Sequence, residues 1–343
     1  MKRLIRLTSI AAVILASAQP AMAQKPAKGA PRAEGELSRH INLDAKDAET
    51  KLEIIQHEVF EAQQQNIRIE FMLKHGSTTA LDFVQYPSGS ELIPGYVFTP
   101  ASGVPAGEKR PAVVVVHGGF HERFNVEWFP LITSLVQRGY VVIFPEYRGS
   151  RGYGSNHYRN DYGVTDTADV LAAAAYIARK PFVDSERLAI VGESRGGMLT
   201  LLAIQQQPTR FKAAVDVVGL TDFVAYMAYK PEYRRQEVAR ENPSFGGKLP
   251  NENLAAYMAV SPINHVDKIQ TPLLVMASTG DMIAPITLHT GRLLDALKAR
   301  NKVHEAKIYE NAPGGHVFMH GDQPERDDAY ARIFAWLDRY VKP

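Results

Sequence analysis

The sequence predicts an α/β protein: a mostly parallel, doubly wound sheet with helices on both faces. Three observations predict it. Five short apolar runs, at 112–116, 141–144, 188–191, 213–217 and 273–277, lack the apolar–polar alternation of a half-exposed strand, so each suits a central strand buried on both faces. Longer stretches with helical spacing lie between these runs. One segment, 223–260, breaks the rhythm. It is rich in aromatics, carries Arg234, Arg235 and Arg240, and reads as a helical cap inserted over a site.

The elements follow in chain order. Residues 1–23 have the form of a secretory signal: Lys2, Arg3 and Arg6, then an apolar run over 7–18, then Ala21-Met22-Ala23 as the cleavage site. That run is shorter than the roughly 20 residues of a membrane span. The expectation is an exported protein, periplasmic or secreted, with no membrane partner after cleavage. Residues 24–36, rich in Ala, Pro, Lys and Gly, read as a flexible linker. Residues 37–110 should supply an N-terminal helix and strands packed on the main domain. Leu52, Ile55, Val59 and Ala62 have the spacing of one helix over 43–65. Strands are expected at 67–73, 80–86 and 96–99, between Gly- and Pro-bearing turns. The catalytic domain then spans 111–343. Its helices are expected at 166–179, 196–206, 287–300 and 326–340, and a sixth strand at 305–309.

Composition removes several function classes. Cysteine is absent, which excludes disulfides, a thiol nucleophile and thiolate metal sites. Three of the 39 basic residues and no acidic one fall in the signal segment, so 36 basic face 37 acidic residues in the remainder. Such a balance offers no footprint for nucleic acid. The histidines are scattered, without a His-Glu-x-x-His or comparable cluster, so neither a metal nor an organic cofactor is expected. No pattern assigns an oligomeric state.

The chemistry sits in Gly192-Glu193-Ser194-Arg195-Gly196. A strand-like run precedes it and a helix-like run follows, the setting of a nucleophile elbow in the α/β-hydrolase fold. A serine hydroxyl is a weak nucleophile and needs a base held by a carboxylate. In this fold the acid and then the base follow the serine in the chain. Asp281 follows the strand at 273–277, and His316 lies in the loop after the last strand. Asp222 and Asp216 compete for the acid, and His320, His289 and His304 for the base. Only His316 has both the order and the loop context. His117-Gly118-Gly119-Phe120 ends the first central strand. Its small residues let backbone N–H groups approach a substrate oxygen, so the oxyanion donors would be Arg195 and Gly119, aided by Phe120. His117 itself reads as structural.

Four blocks resemble the catalytic domain of the prolyl oligopeptidase family, in its acylaminoacyl-peptidase and dipeptidyl-peptidase branch. They are His117 to Arg123; Arg138-Gly139-Tyr140 with Pro145-Glu146-Tyr147-Arg148-Gly149-Ser150-Arg151-Gly152-Tyr153-Gly154; the Ser194 elbow; and Ser261-Pro262-Ile263 with Thr271-Pro272-Leu273-Leu274, Asp281 and His316. The resemblance covers about 111–343 and puts Ser194, Asp281 and His316 at the triad positions. It implies a serine peptidase acting on a small peptide. Some departures bear on the substrate. The roughly 85 residues between the signal segment and Arg110 cannot build the β-propeller such peptidases usually carry. Glu122 and Glu127 do not form the acidic pair that dipeptidyl peptidases use for a substrate amino terminus. Around Asp281, Met276-Ala277-Ser278-Thr279-Gly280 replaces the more usual His-Gly loop. Peptidase is the preferred reading. A carboxylesterase acting on small or sugar-linked acyl esters is the alternative, and a non-catalytic binding relative the third.

Overall fold

The computed structural model describes residues 48–342. Gln56–Pro343 form one compact unit, which holds the sheet and the site described below. The signal and linker readings, and the first residues of the helix expected at 43–65, lie outside the described residues.

Eight strands make one sheet: β1 (Thr79–Ser88), β2 (Glu91–Pro100), β3 (Arg110–Val116), β4 (Val141–Pro145), β5 (Val183–Glu193), β6 (Ala213–Val217), β7 (Leu273–Ser278) and β8 (His304–Tyr309). Their order is β1-β2-β4-β3-β5-β6-β7-β8. β1 and β2 form an antiparallel hairpin, and β2 runs antiparallel to β4. From β4 to β8 all pairings are parallel. The α/β-hydrolase arrangement expected from the alternation is therefore present.

The helices are α1 (Ala48–His75), α2 (Phe129–Gln137), α3 (Ser155–Tyr158), α4 (Thr165–Ala178), α5 (Arg195–Gln206), α6 (Phe223–Tyr229), α7 (Glu232–Glu241), α8 (Leu254–Ala259), α9 (Thr290–Ala299) and α10 (Arg326–Val341). Successive side chains of a strand point to opposite faces, so unbroken apolar runs feed two cores at once. Val113 and Val115 of β3 join Leu131 and Leu135 of α2 and Ile333 and Leu337 of α10 on one face. Ala112, Val114 and Val116 join Val170 of α4, Leu199 of α5 and Leu293 of α9 on the other. A third cluster, built on Phe223, Tyr226, Phe245 and Tyr257, holds the cap helices α6 to α8 together over Tyr162 and Met198.

The strand expected at 67–73 is a correction: these residues belong to α1. Alternating Ile67, Ile69 and Phe71 mimic a strand. Only the helical set is used, however, with Gln64 and Phe71 buried while Ile69, Met72 and Leu73 stay exposed. Glu70 and Lys74 pair one turn apart on the exposed side. Gly76 ends the helix by donating its N–H to the Met72 carbonyl at 2.9 Å.

Candidate active site

The site lies at the C-terminal ends of β3, β5 and β7, where the loops of a parallel sheet gather. Ser194 falls between β5 and α5 with φ 55° and ψ −117°, a backbone state that side chains rarely adopt. Its N–H donates to the Val217 carbonyl at 2.7 Å, and its own carbonyl accepts from Met198 N at 3.1 Å. The glycines around it are required by close approach rather than by torsion angle. A Cβ on Gly192 would lie 2.1 Å from the Gly196 carbonyl oxygen, and one on Gly196 would lie 2.1 Å from that of Val116.

Three residues distant in sequence converge here. The Ser194 hydroxyl donates to His316 Nε2 at 2.7 Å. His316 Nδ1–H donates to Asp281 Oδ2 at 2.7 Å. Asp281 is buried, and its other oxygen accepts from Ile283 N and Ala284 N, both at 2.8 Å. Burial works against its charge. The hydrogen bond and charge of His316 and the two backbone donors outweigh burial, so the carboxyl stays below its ordinary value.

The end of β3 and the following His117–Gly119 segment are clamped by the Tyr147 block. His117 is fully buried and stacks on Tyr147 with ring centroids 4.2 Å apart. Burial holds its imidazole neutral, down at about 3. The Tyr147 hydroxyl donates to the His117 carbonyl at 2.9 Å. Arg148 grips Asp169 at 2.9 and 2.7 Å, and buried Glu146 accepts from Phe124 N at 2.9 Å. Burial pushes the Glu146 carboxyl up to about 8. The Tyr147–Gly154 block thus stabilises the strand end that presents Gly119, whose φ of 71° suits glycine. Among the described residues, the N–H groups of Arg195 and Gly119 have no backbone acceptor.

The Arg195 side chain does a separate job. It is buried, pairs with buried Asp166, and lies against the rings of Phe120 at 4.7 Å and Tyr162 at 4.3 Å. Its Nη1 donates to the Phe120 carbonyl at 3.3 Å. The Arg195 side chain thus fastens the loop that carries Phe120 to Asp166.

The competing residues are engaged elsewhere. Asp222 caps α6 through Ala225 N at 2.9 Å and pairs with Arg292. Asp216 is buried in β6 without a side-chain partner among the described residues. His289 is buried between Thr221 N and the Tyr229 hydroxyl. His304 bonds the Lys302 carbonyl. His320 meets Glu193, a pair no sequence pattern announces, although Glu193 precedes Ser194 and His320 lies four residues beyond His316. Among the described residues no group of three metal-ligating side chains occurs.

Comparison with known proteins gives a consistent result. The family model described as the prolyl oligopeptidase family, Peptidase_S9, matches residues 127–343. Acylamino-acid-releasing enzyme 1 of Oryza sativa subsp. japonica is 29% identical over 253 residues, covering 68% of this chain and 30% of the relative. The acylamino-acid-releasing enzyme of Mus musculus is 30% identical over 246 residues, covering 70% and 33%. Among solved structures, an acylaminoacyl peptidase in complex with Z-Gly-Gly-Phe-chloromethyl ketone superposes with a TM-score of 0.68 at 25% identity, covering 77% of this chain and 42% of that one. A puromycin-hydrolyzing peptidase of Mycobacterium tuberculosis gives 0.67 at 28% identity, covering 77% and 39%. The chain spans about a third of the length of the curated relatives it matches. By the match over 127–343, the chain belongs to the prolyl oligopeptidase family.

Proposed function

We propose that this chain is a serine hydrolase that cleaves peptide or aminoacyl bonds through an acyl-enzyme, with Ser194 as nucleophile, His316 as base and Asp281 as the carboxylate that orients it. The observation that carries this reading is the unbroken line of two 2.7 Å hydrogen bonds from Asp281 through His316 to Ser194. The relatives named as acylamino-acid-releasing enzymes favour an aminoacyl substrate.

In the proposed reaction His316 Nε2 takes the hydroxyl proton as Ser194 Oγ attacks the carbonyl carbon. The carbonyl oxygen becomes an oxyanion and accepts from the N–H groups of Arg195 and Gly119. One such donor lowers the barrier by roughly 3–4 kcal/mol. The imidazolium then gives its proton to the leaving nitrogen as the C–N bond breaks, leaving an ester on Ser194. Water, activated by the same imidazole, releases the acid. Asp281 stays ionised throughout and holds the Nδ1–H tautomer.

A fluorophosphonate probe should label the wild type and spare Ser194→Ala. Equal labelling would remove Ser194 from the mechanism. Comparing kcat/KM on aminoacyl amides with short acyl esters tests the substrate class, because amide cleavage demands a protonated leaving group as well as attack. Turnover of esters alone would overturn the peptidase reading. The same proposal takes the chain to be exported, on the charges and apolar run of residues 1–23. Amino-terminal sequencing of the protein recovered outside the cytoplasm should begin at Gln24.

A further inference from the structure

Glu193 is joined by a peptide bond to Ser194, and His320 follows His316 by four residues in the same loop. The two side chains meet at 2.6 Å through Glu193 Oε2 and His320 Nε2, and both are buried. The other ring nitrogen of His320 lies 3.4 Å from the Glu127 carbonyl. Two acceptors, one on each nitrogen, call for a doubly protonated ring. The Trp128 ring closes the pair from one side, its centroid 5.0 Å from that of His320. The groups facing the pair are Glu127 from the turn before α2 and Tyr330 from α10.

The loop that carries His316 needs fastening. It has only one short 3-10 turn, Gly315–Val317, and glycines stand at 314, 315 and 321. Phe318 and Met319 bury it in the core, and Asn311 N bonds Thr279 Oγ1 at 2.8 Å, while its histidine anchors are His316 on Asp281 and His320 on Glu193. The second anchor ends on the residue next to the nucleophile. We propose that the Glu193–His320 ion pair is a positioning device that fixes His316 against Ser194, holding the base loop and the elbow in register for proton transfer. This rests on the catalytic roles proposed above. Because the pair touches no reacting atom, its loss should act on kcat and leave KM nearly unchanged. A displacement of about 1 Å in such a site can cost about 100-fold in rate.

The sign of the pH effect follows from the pair. Burial opposes charge on His320, but Glu193 reverses that and raises the imidazole to about 9. The tether is therefore complete below that pH and released above it. The experiment measures kcat and KM from pH 6 to 10.5 for the wild type, Glu193→Gln, His320→Gln and the double variant, all as full chains. Wild-type kcat should fall above about pH 9. Each single variant should lose about 10- to 100-fold in kcat at pH 8, with KM within about twofold. Glu193→Gln should move the alkaline fall lower by at least about one pH unit, and the double variant should be no worse than the weaker single. A flat wild-type kcat to pH 10.5 overturns the proposal without any variant. So does a Glu193→Gln enzyme with wild-type kcat while Ser194→Ala is inactive. Activity persisting in Ser194→Ala would instead sink the catalytic reading on which the proposal rests.

A different observation bears on the substrate. Lys230 closes α6, half-buried, its ammonium 4.5 Å from the ring centroid of Tyr226 and 4.8 Å from that of Tyr229. Among the described residues no carboxylate lies within ion-pair distance of it, and burial holds its ammonium below the ordinary lysine value. Arg234, on α7, lies over the ring of Phe120 at 5.1 Å, and Phe120 follows the oxyanion glycine. Tyr229 donates to the Ile283 carbonyl at 2.8 Å, two residues past Asp281. Arg234 is paired with Glu237, so of these two cap cations Lys230 is the one without an ion-pair partner among the described residues, and the charge of Asp281 only partly offsets its burial. A partly desolvated cation without an ion-pair partner gains most from an anionic ligand. We infer that the cleft favours an acyl residue bearing a carboxylate, within the aminoacyl chemistry proposed above. Matched aminoacyl amides with Glu, Gln or Lys at that residue should show kcat/KM for Glu at least about tenfold above Gln, and Lys230→Glu should reverse the order of Glu and Lys. Equal values for Glu and Gln, or an order unchanged by Lys230→Glu, would refute it. Loss of all three with Ser194→Ala intact in activity would point to a fault in the catalytic reading instead.

Discussion

The Ser194 turn and the cap differ in how they are held. Around Ser194 the backbone itself fills the space: a single Cβ on Gly192, Gly196 or Gly197 would lie between 2.1 and 2.3 Å from a neighbouring atom. The cap is held by ring contacts, such as Phe245 on Tyr257 at 3.8 Å, and by surface pairs such as Arg235 with Glu232. The first kind of packing allows one geometry, while the second tolerates small shifts because each contact is replaceable. Rate should therefore depend on the elbow and substrate choice on the cap.

The largest effects test the elbow. Ser194→Ala should lower kcat by about 10⁶-fold. Its stability should be unchanged within about 0.5 kcal/mol, since the strained backbone state is kept. Ser194→Gly should lose the same activity yet unfold at a higher temperature, by about 1 kcal/mol of relieved strain. Calorimetry of the two variants separates strain from side-chain loss. Asp281→Asn comes next, at about 10⁴-fold in kcat, because the amide permits the wrong imidazole tautomer. Its ionised partner contributes above the ordinary carboxylate value and is lost as pH falls through the lowered one. Stability of the Asn variant should thus fall less steeply below pH 4 than that of the wild type. Gly196→Ala should cost about 3 kcal/mol or more, since the obstacle is backbone, and soluble yield and thermal midpoint report it.

These residues also mark what was legible in the sequence. The elbow was readable because chemistry and sterics demand the same five residues, and strand–turn–helix context is local. That Asp281 and His316 would meet Ser194 was readable through chain order alone. The run at 67–73 misled because Ile67, Ile69 and Phe71 alternate like a strand, while burial of Gln64 and Phe71 decides for a helix only once α1 has a surface to lie on. Glu193, His320 and the Arg195–Asp166 pair were not readable, since each joins loops far apart in sequence and no periodicity announces a buried ion pair. Tyr147 could be seen as part of a block, but its role under His117 needed coordinates.

The cap predictions are smaller and should fall on KM. Phe223→Ala opens a hole in the cap cluster and should cost about 3 kcal/mol by thermal unfolding. Retention of wild-type KM in that variant would break the proposed division between rate and selection.

The finest test concerns the fastening between cap and site. Tyr229 donates to the Ile283 carbonyl at 2.8 Å and lies 2.9 Å from His289 Nε2, while His289 Nδ1 accepts from Thr221 N at 3.3 Å. That pattern requires a neutral imidazole with its proton on Nε2, donated to the Tyr229 oxygen. Burial holds His289 neutral, down at about 4. The unfolded chain binds this proton near the ordinary value of about 6.5, so the unfolded state is the better proton acceptor between the two values. Stability contributed here is complete above about pH 6.5 and is lost as pH falls toward 4. A proton on Nδ1 would also face the Thr221 N–H, donor against donor. Tyr229→Phe, which removes both hydroxyl bonds, should cost about 1 kcal/mol at pH 8 and raise KM by a few-fold with kcat unchanged. His289→Gln should flatten the loss of thermal midpoint between pH 6.5 and 4.5. An equal loss in kcat for Tyr229→Phe would show that the cap sets the rate as well as the choice of substrate, because the Ile283 carbonyl it holds lies on the loop that carries Asp281.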